Sequence, residues 1–449
     1  MSLITGRFFF LEDRMDLLNS KVKPMYLKYL AAASGSAMVS SLFAMADAMM
    51  VGQYHGPVGN AALAVFNPLW SIIYSLGLLA GIGGSILFAT ARGSGHEEDA
   101  QSYYTLSVIL GLAFSLAAVL GIGLFQEPLF RLFGADDALL AMAQRYLKPL
   151  LWGIPCCLCS NILAAFLRND GNPGLATKAV IFSGIFNVIA DYGCVFVLDM
   201  GISGAGLATS MAQFVNVGIM LLHFVGKKNT LRLVNPVGAL EKLWKITFTG
   251  FPSAVSDLAL GIVCVLFNRQ IMKYLDTNAL AVYGVLTQVT VFVQCLAYGA
   301  GQAAQPILSQ NYGARQYDRI RECLKYGIVT SAIMGLAWAG MILLMPNVFI
   351  HLFMDPTPAV AAIAPGILRA YGISYLILPF NIFATYYFQA MMRAPIAMIA
   401  SIARGAVVSG AWIFLLPLVA GPNSIWYAML LTEMMVAAYG AVYMKKTCH

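Results

Sequence analysis

Two acidic residues stand inside long apolar runs. Asp47 lies in SLFAMADAMMVGQ at 41–53, and Asp191 lies in SGIFNVIADYGCVFV at 183–197. An ionised carboxylate is costly to remove from water, so a carboxylate in such a run is neutralised, paired with another group or used for function. The two residues are therefore the first candidates for binding a proton or a small cation.

Two polar residues are expected to join Asp191. Asn187 precedes it by one helical turn, so both side chains lie on one helix face. Thr209 is the first polar side chain after GISGAG at 201–206, a run whose small side chains allow neighbouring helices to approach closely. Carboxylate, amide and hydroxyl oxygens are suitable ligands for sodium, which would bind at Asp47, Asn187, Asp191 and Thr209. The same groups could instead serve as hydrogen-bond partners of a carboxyl group that binds a proton. A polar clamp between helices, without any ligand, is the alternative.

Other candidates for chemistry are weaker. Asp257 and Arg269 in the seventh apolar run and Arg404 in the eleventh lie near enough to the run ends for snorkelling to explain them. Asp257 is kept as a possible secondary site. The chain has 8 cysteines but no paired CxxC motifs and no HExxH motif, so we expect no metal site and no cofactor other than a proton or sodium ion at the acids.

The composition indicates an integral membrane protein. Hydrophobic residues make up 60% of the 449 residues and charged residues 10%, against about 25% in soluble domains. The mean hydropathy is +0.76. Twelve apolar runs are long enough to span a bilayer. They lie at 27–52, 61–91, 103–126, 142–167, 175–198, 203–225, 244–272, 279–310, 325–349, 366–391, 396–419 and 424–444.

Sequence repeats divide these spans into two sets of six. LAVF at 63–66 returns as LAVY at 280–283, displaced by 217 residues, and FLRNDGNP at 166–173 is matched by FQAMMRAP at 388–395, displaced by 222. An even number of crossings per repeat predicts a parallel pseudo-two-fold axis along the membrane normal, which favours alternating access by two lobes.

The expected division follows from these repeats and from the basic segments. It comprises an interfacial segment at 1–26, an N-terminal lobe at 27–225, a basic linker at 226–243, a C-terminal lobe at 244–444 and a tail at 445–449. Lys and Arg gather before the first span, in the linker and between spans eight and nine, which predicts that both termini are cytoplasmic.

Four stretches together resemble the multidrug and toxic compound extrusion (MATE) family over essentially the whole chain. They are ADAMMVGQ at 46–53, LRNDGNP at 167–173, the stretch at 187–210, and GAGQAAQPILSQNYGARQ at 299–316. The resemblance implies that Asp47 is an essential coupling residue. It also implies a cation site at Asp47, Asn187, Asp191 and Thr209, with Asn161 as a weaker member. The tenth span has no acid, which favours a DinF-like arrangement over a second full site.

The resemblance implies a multidrug exporter of the inner membrane that moves organic, often cationic, compounds outward against protons or sodium. A lipid-linked oligosaccharide flippase is the nearest alternative, and a channel and a membrane enzyme are more distant ones. We expect small organic substrates and the lipid bilayer as partners, with no nucleic acid and no obligate protein partner. No paired nucleophile and base stands at catalytic spacing, so no enzyme activity is expected.

Overall fold

The computed structural model describes residues 16–226, 229–354 and 356–447, and the chain is almost entirely helical there. Residues 1–15, most of the expected interfacial segment, lie outside the described residues, as do Lys227 and Lys228 of the linker and residues 448–449 of the tail. The all-helical prediction is confirmed for the described part of the chain.

The described residues of the first half, 16–226, form seven helices. They are α1 (Val22–Gly56), α2 (Val58–Gly93), α3 (Glu97–Leu132), α4 (Asp137–Leu150), α5 (Ile154–Asn169), α6 (Pro173–Tyr192) and α7 (Ile202–Val225). A π-helical turn at Gly193–Val197 extends α6. Helices α4 and α5 are bent by 58° and together form one span, so these seven helices make six spans.

Nine helices lie in the part of the second half that the structure describes, residues 229–354 and 356–447. They are α8 (Ala239–Tyr274), α9 (Thr277–Gly313), α10 (Tyr317–Leu344), α11 (Pro346–Phe353), α12 (Pro358–Gly372), α13 (Leu378–Ala390), α14 (Ala394–Ile402), α15 (Val408–Ala420) and α16 (Ala428–Thr447). Helices α12 and α13 form the tenth span, and α14 and α15, joined by a π-helical turn at Ala403–Val407, form the eleventh. The predicted twelve-span architecture in two six-helix lobes is confirmed.

Glycine and proline mark the places where the helices break. Gly56 separates α1 from α2 with φ 65° and ψ −154°, a conformation that a side chain would disfavour. Pro155 stands in the first turn of α5, where a missing backbone donor costs nothing. Pro346 begins α11, so the ninth span ends at Leu344 instead of the predicted 349.

The two lobes meet through close backbone contacts that repeat across the pseudo-two-fold axis. A methyl group on Gly93 would lie 2.0 Å from the carbonyl oxygen of Gln310, and one on Gly313 would lie 2.0 Å from that of Thr90. The two contacts are related by a shift of 220 residues, as 93 and 90 become 313 and 310. They lie where α2 and α9 end, on the side of the bilayer where the chain also ends. We call this the terminal side.

Asp170 anchors the linker to the first lobe on the terminal side. Its carboxylate accepts hydrogen bonds from Arg92 Nη1 at 3.0 Å, from His223 Nε2 at 2.8 Å and from the backbone N–H of Thr230 at 2.9 Å. Burial acts to raise the pKa of Asp170, but the hydrogen bonds from His223 and Thr230 and the charge of Arg92 outweigh it and lower the pKa.

Candidate cation site in the first lobe

Small residues bring the helices of the first lobe close enough for their polar side chains to meet. Gly184 of α6 receives the ring of Phe43, since a methyl group there would lie 1.8 Å from that ring. Gly204 of α7 approaches the backbone of Cys194 in the π-helical turn, and Gly206 approaches the carbonyl oxygen of Tyr146 in α4. The run GISGAG therefore packs α7 against both the fifth span and α4.

This packing places Asp47, Asp191 and Thr209 around one tyrosine. The Tyr146 hydroxyl lies 3.4 Å from Asp47 Oδ2 and within hydrogen-bonding reach of Thr209. Asp191 lies within electrostatic range of both Tyr146 and Asp47. The structure therefore brings Asp47, Tyr146, Asp191 and Thr209 from α1, α4, α6 and α7 into one polar cluster, and Asn187 lies one turn before Asp191 on the same face of α6. We call these five residues the first-lobe cluster.

Three of the four carboxylate oxygens in the first-lobe cluster lack a hydrogen-bond donor among the described residues. Asp191 is 0% exposed, and neither of its carboxylate oxygens has a partner among the described residues. Asp47 Oδ1 and Asn187 Nδ2 are likewise buried without a partner in that part of the chain. Two ionised carboxylates held close together and shielded from water repel each other, as Asp47 and Asp191 do here. Such a cluster is a candidate for taking up a proton or a cation.

Asn161 and Asp257 have other surroundings. Asn161 Nδ2 donates a hydrogen bond to the carbonyl oxygen of Cys157 in its own helix at 3.1 Å, and the side chain packs against Gly77 of α2. Asp257 is half-buried in the second lobe, within electrostatic range of Tyr74 and Tyr298. Because Tyr74 belongs to the first lobe and Tyr298 to the second, Asp257 faces the space between the lobes.

Sequence reasoning missed Tyr146 and Glu433, and its snorkelling interpretation of Arg404 was wrong. A tyrosine in an apolar run carries no charge to single it out, so only the packing reveals Tyr146. Glu433 stood in the twelfth apolar run and could have been found by the argument that found Asp47. Arg404 does not reach the membrane surface, because its Nε donates to Glu433 Oε1 at 2.8 Å in a buried ion pair.

No group of three or more His, Cys, Asp or Glu side chains that could hold a metal ion occurs within residues 16–226, 229–354 and 356–447. The first-lobe cluster offers two carboxylates with hydroxyl and amide groups instead. This donor set suits one alkali cation or the uptake of protons.

Comparison with known proteins decides the family. The MatE family model matches residues 32–193 and 252–410, one segment in each lobe. The chain belongs to the MatE family. The predicted membership is thereby confirmed, whereas the DinF-like branch stays a prediction.

Relatives and solved structures agree with this membership. The probable multidrug resistance protein YoeA of Bacillus subtilis is 24% identical over 327 residues, covering 70% of this chain and 69% of YoeA. The multidrug export protein MepA of Staphylococcus saprophyticus is 22% identical over 408 residues, covering 89% of each chain. A solved multidrug resistance MATE family transporter of the MOP superfamily superposes with a TM-score of 0.90 at 22% identity, covering 97% of this chain and 98% of that one. The structural likeness shows that the MatE fold is shared.

Proposed function

We propose that this MatE protein exports organic, often cationic, compounds and couples their export to inward movement of protons or sodium. The observation that carries the proposal is the pair of acids inside the first lobe, Asp47 and Asp191, which keep three carboxylate oxygens without a partner among the described residues. Intramembrane acids without a partner are functional by default. The relatives YoeA and MepA are described as multidrug resistance and export proteins, which supports drug-like substrates and disfavours the flippase alternative.

The location follows from the charge pattern. The basic segments before the first span and in the linker lie on the terminal side, and the positive-inside bias assigns that side to the cytoplasm. We therefore place the protein in the inner membrane with both termini cytoplasmic. In the state described here the lobes are in backbone contact on that side, so the cleft is closed towards the cytoplasm.

The exchange cycle rests on the charge of the first-lobe cluster. A proton or sodium ion that reaches Asp47 and Asp191 from outside neutralises their repulsion and stabilises the arrangement of α1, α4, α6 and α7 that it occupies. Tyr146 ties the position of Asp47 to that of α4, so loss or gain of the cation alters how these helices pack. The cycle is coupled if cation and substrate favour different arrangements of the two lobes.

The residues have distinct roles in this proposal. Asp47 and Asp191 bind the coupling cation, and Asn187 and Thr209 supply further oxygen atoms. Tyr146 orients Asp47 through its hydroxyl. Asp257, which faces the space between the lobes, is available to attract a cationic substrate, because an acid there acts in a poorly hydrated cleft. Asn161 bonds its own helix and is left outside the site.

Reconstituted liposomes test the proposal. Wild-type and Asp47→Asn protein would be compared for uptake of a fluorescent organic cation, under a proton gradient without sodium and under a sodium gradient at equal pH. We expect transport driven by one of the gradients in wild type and its loss in Asp47→Asn, with both proteins folded. Gradient-driven transport that survives in Asp47→Asn would contradict the assigned role of Asp47.

A further inference from the structure

The second lobe contains a buried ion pair that the exchange cycle above does not use. Glu433 of α16 is 0% exposed and Arg404, in the π-helical turn of the eleventh span, is 9% exposed. Arg404 Nε donates to Glu433 Oε1 at 2.8 Å, and Asn381 Nδ2 donates to Glu433 Oε2 at 2.6 Å. Both oxygens of this carboxylate are therefore engaged by donors.

A small cavity of about 30 Å³, with both apolar and polar lining residues, lies beside the ion pair. Arg404 and Glu433 line it together with hydroxyl and amide groups of Ser256, Thr290 and Gln294. The Thr290 hydroxyl also lies 2.8 Å from the Tyr375 hydroxyl, on the same wall. A buried carboxylate among hydroxyl and amide oxygens is a set of groups that would bind a small cation if the guanidinium were absent.

The buried acids of the two lobes differ in whether the chain itself neutralises them. In the first lobe Asp47 and Asp191 keep three carboxylate oxygens without a partner in the described chain. In the second lobe Glu433 has none left over, because the chain itself supplies the positive charge. A guanidinium stays charged at any physiological pH, so this charge does not leave during a transport cycle.

We propose that the second lobe holds a cation site whose permanent occupant is the guanidinium of Arg404. The position next to the Glu433 carboxylate, which a small monovalent cation could take, is then occupied by a group of the chain itself. Arg404 acts as a covalently attached cation, so the second lobe does not bind the coupling ion at Glu433. The inference rests on the proposed antiport and deepens it, because coupling is then confined to the first-lobe cluster.

The proposal predicts what happens when the charged pair in the core of the second lobe is broken. Breaking a buried ion pair by removing one partner is strongly destabilising, because the remaining charge is left uncompensated. Removal of Arg404 alone therefore leaves Glu433 in need of a positive charge. A free cation of matching shape would supply it, whereas a neutral molecule of the same shape would not.

Chemical rescue tests this directly. Arg404→Ala protein in detergent would be unfolded by heat in the presence of millimolar guanidinium, with urea as the neutral planar control. We expect Arg404→Ala to unfold at a lower temperature than wild type. We expect guanidinium, and not urea, to raise that temperature in a saturable way. The rise should vanish in Arg404→Ala/Glu433→Gln, which lacks the carboxylate.

Two results of this assay would overturn the proposal. One is an absence of stabilisation by guanidinium in Arg404→Ala, and the other is equal stabilisation of the variant that also carries Glu433→Gln. The assay needs no transport, so it stands even if the protein proves not to be an antiporter. If wild-type protein failed to transport under either gradient, the proposed function would be wrong, but the result on guanidinium binding at Glu433 would still hold.

A transport measurement covers the case in which Arg404→Ala does not fold. Arg404→Gln/Glu433→Gln replaces both charges by neutral amides of similar size, so no charge is left uncompensated. We expect this double variant to move the same number of cations per substrate as wild type. A changed ratio, or loss of gradient dependence while substrate still binds, would show that Glu433 takes part in coupling and would overturn the proposal.

Discussion

The contact between α7 and α4 offers the sharpest test of how packing controls the first-lobe cluster. A methyl group added to Gly206 would lie 2.2 Å from the carbonyl oxygen of Tyr146. Ordinary contacts of this kind are wider, so α4 must move away from α7 by about 1 Å. The Tyr146 hydroxyl is already 3.4 Å from Asp47 Oδ2, and a further shift of this size breaks that hydrogen bond.

The expected loss of stability in Gly206→Ala follows from two opposing effects. Overpacking a close contact costs about 1–3 kcal/mol, and replacing glycine by alanine inside a helix contributes up to about 1 kcal/mol of stabilisation. Gly218, in the same helix, has nothing within 4 Å of the position of an added methyl group. Gly218→Ala therefore keeps the helix gain without the clash, and Gly206→Ala should be less stable than Gly218→Ala by about 1–3 kcal/mol.

The assay combines thermal unfolding in detergent with gradient-driven transport in liposomes for the two matched variants. We expect Gly206→Ala to remain folded but to lose most coupled transport, because Tyr146 no longer orients Asp47. Gly218→Ala should transport as wild type does. Equal transport by Gly206→Ala and Gly218→Ala would refute the idea that the position of α4 controls the cluster.

Three further outcomes are expected. Gly313→Ala places a methyl group 2.0 Å from a backbone oxygen of the other lobe, so the lobes must separate on the terminal side. Cysteines introduced on that side should then react faster with thiol reagents. Gly284→Ala, which adds a methyl group in open space on the same helix, should leave the labelling unchanged. Asp170→Asn should lower stability at pH 7 by about 1–3 kcal/mol. Because the pKa of Asp170 is lower in the folded state, its contribution is present above the unfolded pKa of about 3.9 and is lost as pH falls through the folded value, so the difference from wild type measured by thermal unfolding should shrink in acid. Asn161→Ala should keep the cation dependence of substrate binding, since Asn161 bonds its own helix.

Much of the fold was predictable because a bilayer imposes simple rules. Each predicted apolar run corresponds to a helix or a helix pair, and the two-lobe repeat followed from short matches such as LAVF at 63–66 and LAVY at 280–283. The 58° bend between α4 and α5 lies beside Pro155, a proline within the predicted fourth span and therefore a candidate place for a bend, but the sequence does not show how far the span bends. Where a span bends depends on neighbouring helices as well as on proline.

The candidate site was predictable in part for a different reason. A charge in an apolar run is visible in the sequence, which singled out Asp47 and Asp191. Their meeting with Tyr146 depends on the packing of four helices, which no local pattern contains. The interpretation of Arg404 failed for the same reason, since its partner Glu433 lies in the next span, 29 residues along the chain.

The central claim is that the coupling cation binds at Asp47 and Asp191 and competes with substrate. Its most direct test measures the affinity of purified protein for a fluorescent organic cation while the proton or the sodium concentration is varied. Linkage requires that, if the cation weakens the binding of substrate, the substrate weakens the binding of the cation by the same factor. We expect affinity to fall as one of the two cations rises, and this dependence to disappear in Asp47→Asn/Asp191→Asn. The same dependence in the double variant would contradict the account.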